Sequence, residues 1–374
     1  MRKVCILTTV HHAYDGRIYY KQCKSLRKAG YDVMLIAPAP EKYEDDEIPI
    51  IPITKPKSKW RRMLHTFKVI SLARKTNADI YHFHDPELVP VGVILRFLTK
   101  KPVIYDVHEH YPNAIMSKQY LSKPMKIILR TIYECVEKVS LPILSGVIYT
   151  TSIIGKRYEK LNSCQIENYP PREIFKHISH FSSAKNPNQL IYLGGITKIR
   201  GVNQLILGFA EVAKNNSKAR LMFVGFFESS EYEKEIHDLI NKLSLSTNIE
   251  FIGKVPYQEI EKYLAKSSIG IIPYLPVPNH LVCMPNKMFE YMASGNAVIA
   301  SDFEHYREVI KESQCGITVN PNKPSDIAKA INKLVRDEQV LFSMQENGQA
   351  AFATKYNWET EEKKLLQYYQ QLLS

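Results

Sequence analysis

"QLIYLGGITKIRGVNQLI", residues 189–206, decides how this chain is read. A short run of branched and aromatic side chains meets two glycines, and a helix-period pattern begins after a third. Strand, Gly-rich turn and helix make half of a βαβ unit, so the surrounding sheet is expected to be parallel. Gly194 and Gly195 let the backbone approach a ligand closely, and Gly201 opens the helix. Helix starts present free N–H groups and the positive end of a dipole, which favours phosphate. Arg200, just before this one, adds a forked cation. An ordinary strand-to-helix turn has the same glycines, so this stretch needs support from elsewhere.

The rhythm repeats on both sides. Expected strands are "KVCILTT", "DVMLIA", "DIYHFH", "PVIYDV" and "GVIYTT" in the first half. "QLIYLGG", "RLMFVG", "IEFIG", "IGIIPY", "AVIAS" and "GITV" follow in the second. Helix-period segments such as Ile18–Ala29 and Val91–Leu98 lie between them. The adjacent prolines in "IENYPPREIF" (166–175) interrupt the pattern. The expectation is an α/β protein of two Rossmann-like, doubly wound domains facing a cleft, covering 1–167 and 168–355. A final helix, 356–374, should pack back towards the first. In such open sheets ligands sit beyond the carboxyl ends of the strands.

Composition excludes several classes. Hydrophobic residues make up 45% and charged residues 24% of 374, as in an ordinary soluble globular protein. No apolar run approaches the ~20 residues that span a bilayer. His11, His12 and Asp15 follow the first apolar run where a signal peptide needs small residues, so the chain is expected to be cytoplasmic. Six cysteines are scattered without a C-x-x-C pair, which suits buried thiols in a reducing compartment. No D-x-D occurs, so no carboxylate-held metal is expected. Residues 1–167 carry 27 Lys and Arg against 16 Asp and Glu, a net +11; residues 168–374 carry 23 against 22, a net +1. The first half should therefore meet an anionic partner.

In "MPNKMFEYMASGNAVIASD" (284–302), Lys287 and Glu290 stand one turn apart on a helix just beyond the strand "IGIIPY". A lysine suits a phosphate and a carboxylate can accept both hydrogen bonds of a ribose diol. The competing reading is a glutamate pointing to solvent. Together with the glycine turn, these residues describe a nucleoside diphosphate between two helix starts.

These blocks, taken in order with "FIGKVPYQEIEKYLAKSSIGIIPY", resemble the donor-binding domain of family 4 retaining glycosyltransferases of the GT-B fold. "HHAYDGRIYYKQCKSLRKAGYDVMLIA", "HFHDPELVP" and "YDVHEHYP" are similar to the acceptor domain of that family. The resemblance implies that Glu290 binds the ribose and Arg200 the diphosphate. Gly194, Gly195, Gly225, Val255 and Lys287 complete the donor set, and Phe226 borders it or sits in the core. It implies catalysis by His108, Arg200 and Lys287, and an acceptor side of His11, Asp15, Arg17, His84, Asp85 and Glu109. Asp15 could equally cap the next helix with Arg17 exposed. Two positions depart from the family pattern. Val282 stands where the first of two paired glutamates is common, and Gly195 where an arginine is frequent; Lys287 is expected to supply the missing charge.

The implied activity is transfer of a sugar, with retention and without metal or cofactor, from a nucleotide-linked donor. The donor is expected to be UDP-linked, and the acceptor a surface polysaccharide, glycolipid or lipid-linked glycan precursor. The basic segment Lys57–Lys75, with Trp60, Met63, Leu64, Phe67 and Ile70 at helical spacing, is expected to touch an anionic membrane. Its apolar face could instead pack on the sheet. Two rivals are a sugar-nucleotide epimerase of the same fold and a basic nucleic-acid-binding protein. The second lacks any basic-aromatic motif, and no nucleic acid is expected as a partner.

Overall fold

Apolar runs buried on both faces set the two sheets. The computed structural model describes residues 1–39, 47–54, 68–118, 120–177 and 185–374. The chain divides into one unit of Met1–Asn168 with Trp358–Ser374 and another of Tyr169–Asn357. The first holds β1 (Lys3–Leu7), β2 (Asp32–Pro38), β3 (Ile50–Ile53), β4 (Ile80–Phe83), β5 (Val103–Val107), β6 (Gly146–Tyr149) and β7 (Ser163–Gln165). Their order is β3-β2-β1-β4-β5-β6-β7, parallel throughout. The second holds β8 (Gln189–Leu193), β9 (Arg220–Val224), β10 (Ile249–Gly253), β11 (Ile269–Ile272), β12 (Ala297–Ser301) and β13 (Gly316–Val319). These run β10-β9-β8-β11-β12-β13, again all parallel. The order reverses beside β1 and beside β8. Each unit therefore has its crevice beyond the carboxyl ends of β1 and β4, or of β8 and β11.

Two strands escaped the sequence reading. Both β3 (IIPI) and β7 (SCQ) are edges, one carrying a proline and the other no apolar run. The expected helix at Ile18–Ala29 is also irregular. Ile18–Cys23 winds with i→i+5 bonds such as Gln22 N to Arg17 O, and only Lys24–Lys28 is α-helical. The wide turn directs Arg17, Lys21 and Gln22 inward, where all three are buried.

That inward turn satisfies a carboxylate in the middle of β5. Asp106 is fully buried and takes a bidentate pair from Arg17, Nε to Oδ2 at 3.0 Å and Nη2 to Oδ1 at 2.9 Å. Gln22 donates to the same carboxylate. His84 Nδ1 and His82 Nε2 stand 3.5 and 3.7 Å from its Oδ2. The C-terminal helix Trp358–Leu373 closes this layer. Trp358 Nε1 donates to Ser25 Oγ at 2.9 Å, and the Tyr369 hydroxyl lies 2.7 Å from His82 Nδ1. Of the basic segment expected at a membrane, residues 55–67 lie outside the described residues. Ile70, with Val69 and Ala73, packs into the core of the first unit.

Burial alone would raise the Asp106 pKa, but Arg17 and the neighbouring histidines hold it well below the carboxylate range. Burial pushes His82 down, and His84 far down, against the opposing pull of Asp106. The unfolded chain therefore binds protons at these histidines below about pH 6.5 while the folded chain does not, so stability falls with pH there by up to ~1.4 kcal/mol per histidine per pH unit. His11 acts oppositely, since its pKa is raised despite burial. Thermal melts from pH 7.5 to 5.5 should show a falling midpoint, and His82→Gln should flatten that slope. An unchanged slope in the variant would mean that His82 does not carry it.

Candidate functional site

The second unit's crevice is built where two glycines permit backbone to touch backbone. Gly201 has φ +71°, and a Cβ there would stand 1.8 Å from Pro273 O. A Cβ on Gly225 would stand 1.9 Å from Gly194 O, so no other residue fits at either position. Gly194 N donates to Val224 O at 2.7 Å and Gly225 N to Gly253 O at 2.9 Å, gathering the carboxyl ends of β8, β9 and β10. Val255, two residues on from Gly253, is partly buried against the same core. Phe226 is 57% exposed and so is no core residue.

The helix Val202–Asn215 begins at Gly201 without a side-chain cap, leaving its first N–H groups free. Tyr192 donates its hydroxyl to Gly195 O at 2.7 Å and Arg200 Nη1 donates to the same oxygen at 3.2 Å, which fixes the loop. Lys287 reaches this loop from the helix Asn286–Ala293. Its Nζ lies 4.1 Å from the centre of the Tyr192 ring and 5.0 Å from that of Tyr274. Arg200 faces Tyr274 at 5.5 Å. A Cβ on Gly194 would be 3.4 Å from Lys287 Nζ and 3.5 Å from Arg200 Nη1, so both cations border one stretch of backbone.

Lys287 Nζ is buried with no hydrogen-bond partner among the described residues, and so are Thr197 Oγ1 and the Tyr306 hydroxyl. Burial, then Arg200, drives the Lys287 pKa well below the lysine range against the pull of Glu290. His280 stacks on Tyr274 with centroids 4.5 Å apart, and burial and the two cations hold its pKa down. Arg200 and Lys287 thus share the Tyr274 ring beside an uncapped helix start. Glu290 is 6% exposed, which rules out the solvent-facing reading, and it shares a hydrogen bond with the half-buried Tyr257. Lys185, which the sequence reading passed over, donates to Ser294 O and Gly295 O at the far end of this helix and to Leu264 O in the helix Ile260–Ala265. Burial lowers its pKa to about 7. Tyr192 and Tyr274 were also passed over. Their signal was the rule already applied to the glycines, since each ends or adjoins a strand at its carboxyl side.

In the first unit the residues expected on the acceptor side separate into two layers. Arg17, His84 and Asp85 are buried, so Arg17 is neither exposed nor free. Asp85 accepts from Thr8 Oγ1 at 2.9 Å and Val10 N at 3.3 Å, tying β1 to β4. Asp15 does cap its turn, accepting from Arg17 N at 2.8 Å and Ile18 N at 3.0 Å. Above them, Glu109 is exposed. The half-exposed rings of His11 and His108 lie 5.3 Å apart, and His108 Nε2 is 2.9 Å from His84 Nδ1. Among the described residues, His82, His84 and Asp106 bring potential metal-ligand atoms within 4.8 Å of one another. Asp106 already spends both oxygens on Arg17, so the trio reads as a charge cluster.

Two family descriptions match the chain, "Glycosyltransferase Family 4" over residues 4–163 and "Glycosyl transferases group 1" over residues 174–351. A capsular polysaccharide biosynthesis glycosyltransferase of Staphylococcus aureus, CapH, is 25% identical, with 80% of this chain and 81% of that protein covered. Sucrose-phosphate synthase from Thermosynechococcus elongatus has the same fold at TM-score 0.76 and 18% identity, covering 100% of this chain and 99% of that one. Anabaena HepE, solved with UDP, follows at TM-score 0.72 and 17% identity, covering 99% and 100%. With both halves matched in order on two parallel sheets of the doubly wound kind, the chain belongs to the family 4 glycosyltransferases of the GT-B fold.

Proposed function

We propose that this glycosyltransferase takes a sugar from a UDP-linked donor and attaches it, with retention and without metal, to a surface polysaccharide, glycolipid or lipid-linked glycan precursor. One observation carries the donor half: the buried Lys287 Nζ, without a hydrogen-bond partner among the described residues, stands beside Arg200 and an uncapped helix start. HepE, a structural neighbour, was solved with UDP, and CapH is named for capsular polysaccharide biosynthesis. The diphosphate lies against the N–H groups of 202–204, with Arg200 and Lys287 on its oxygens. Glu290 accepts from the ribose diol, and the backbone at Gly253–Val255 meets the base.

Breaking the bond from anomeric carbon to diphosphate oxygen sends the electron pair to the diphosphate. Lys287 and Arg200 stabilise that charge, which supplies most of the catalysis. The acceptor oxygen attacks the face the diphosphate leaves, and its proton passes to the departing phosphate oxygen. His108 meets the donor sugar near the anomeric carbon, and His11, Asp15 and Glu109 meet the acceptor. Arg17, His84 and Asp85 position this layer. The absence of D-x-D supports turnover without a divalent ion.

Product analysis by NMR should show the donor's anomeric configuration preserved, and chelator should leave the rate unchanged. Inversion, or activity lost to chelator, would overturn the mechanism.

Calorimetric titration with UMP and UDP tests the site itself. Glu290→Gln should weaken both nucleotides by ~1.5–3 kcal/mol, because a charge-assisted acceptor is lost. Lys287→Met and Arg200→Ala should weaken UDP more than UMP, with non-additive effects if both grip one diphosphate. A Glu290 variant within ~0.5 kcal/mol of wild type would leave the ribose without its partner.

A further inference from the structure

One phenyl ring at the crevice of the second unit lies in water. Phe226, at 57%, is the most exposed large apolar side chain of that unit among the described residues. A lone surface phenylalanine is ordinary, so its position has to give it meaning. Side chains alternate along extended chain. Leu221 and Phe223 enter the core beneath the helices Val202–Asn215 and Pro324–Arg336, and Phe227 packs against that core. Met222 and Val224 enter the opposite core with Met288, Phe289 and Met292 of the helix Asn286–Ala293. Phe226, next to Phe227, turns to this second side. Val255 and Tyr257 border the same side, and Tyr257 shares its hydrogen bond with Glu290. β9 ends at Val224, so the ring stands past the strand, over the crevice.

Backbone bonds hold the ring in place. Ile196 N donates to Phe226 O at 2.7 Å, and Glu228 N donates to Ile196 O at 3.1 Å. Lys198 N donates to the Glu228 carboxylate at 2.9 Å, which closes the ladder between the two loops. Gly225 N on Gly253 O ties the same segment to β10. Phe227 meets the rings of Phe251 and His237, with centroids 5.2 and 6.1 Å away, whereas Phe226 has no ring partner among the described residues. A rigid aromatic face in water loses little entropy when a flat ligand covers it, and sheds ordered solvent.

The order of groups along a sugar nucleotide selects what covers it. Base, ribose and diphosphate follow one another, and the sugar hangs from the far phosphate. With the diphosphate at the helix start beside Lys287 and the ribose at Glu290, the base falls on the side of β9 and β10. The sugar then falls on the side of β11, where Tyr274 and His280 stand. A planar base matches a phenyl face, and a saturated sugar ring has no π face to offer. We propose that Phe226 is the stacking platform for the base of the bound nucleotide. This deepens the reading of a UDP-linked donor and rests on it. Every base has a π face, so the stack adds affinity and leaves the choice among bases to the backbone at Gly253–Val255.

Calorimetric titration of the full chain with UMP and with UDP tests it. Phe226→Ala should weaken both by the same factor, about tenfold, because the base is common to the two. Phe226→Leu keeps apolar bulk without a π face and should lose most of what the alanine variant loses. Phe226→Trp should bind as wild type does. UMP should also quench its indole emission beyond any change in wild type, whose tryptophans are Trp60 and Trp358. A loss confined to UDP, or full affinity in the leucine variant, would overturn the proposal. If wild type binds both nucleotides and Phe226→Ala binds them equally well, this inference fails alone. A wild type that binds neither would strike the donor reading and this inference with it.

Discussion

The second unit depends on a buried lysine, Lys287, whose Nζ finds no hydrogen-bond partner among the described residues. Charging it there costs several kcal/mol, and two ring contacts return only about 0.5–2 kcal/mol each, so burial holds the group towards its neutral form. Lys287 is held in that position regardless. Its helix is buried from Lys287 to Ala293, and Lys185 locks the carbonyls at its far end. Gly201 and Gly225 bring strand ends together so that the facing loop closes on the same point. The local cost is met by the rest of the unit's core, as expected where function sets the geometry. In the proposed reading a bound diphosphate supplies the charge that restores the ammonium form.

The first unit solves the opposite problem. Its buried carboxylate, Asp106, is fully matched, and the bidentate pair with Arg17 ties β5 to the irregular turn after β1. Removing one partner of such a pair is costly because the other charge stays buried, by about 3–5 kcal/mol. The histidines layered above Asp106 run from the fully buried His82 through His84 to the half-exposed His108. The surface pair of His11 and His108 is thus carried on a rigid base rather than on a free loop.

The central strands were legible because parallel strands covered on both faces read as unbroken apolar runs. The edges β3 and β7 lack that burial and were invisible. Gly194, Arg200, Lys287 and Glu290 were legible because chemistry-bearing residues stand in the loops and helix starts that follow strands. The tyrosines beside them were not, since a tyrosine at a strand end reads as an ordinary strand former. Arg17, His84 and Asp85 read as acceptor-side residues because the partners that bury them lie far off in sequence, more than seventy residues away for Arg17 and Asp85 and more than twenty for His84.

The most direct measurement is the number of protons taken up when UDP binds. Calorimetry at pH 8 in buffers of different ionisation enthalpy gives that number. There UDP is fully ionised, its last phosphate group having a pKa of about 6, and His280 is already neutral. In the free protein burial and Arg200 disfavour the charged form of Lys287, and a bound diphosphate restores it. The account predicts proton uptake on binding by the wild-type chain and none by Lys287→Met. No uptake in wild type, or equal uptake in the variant, would contradict the claim that Lys287 is the receptor for the diphosphate.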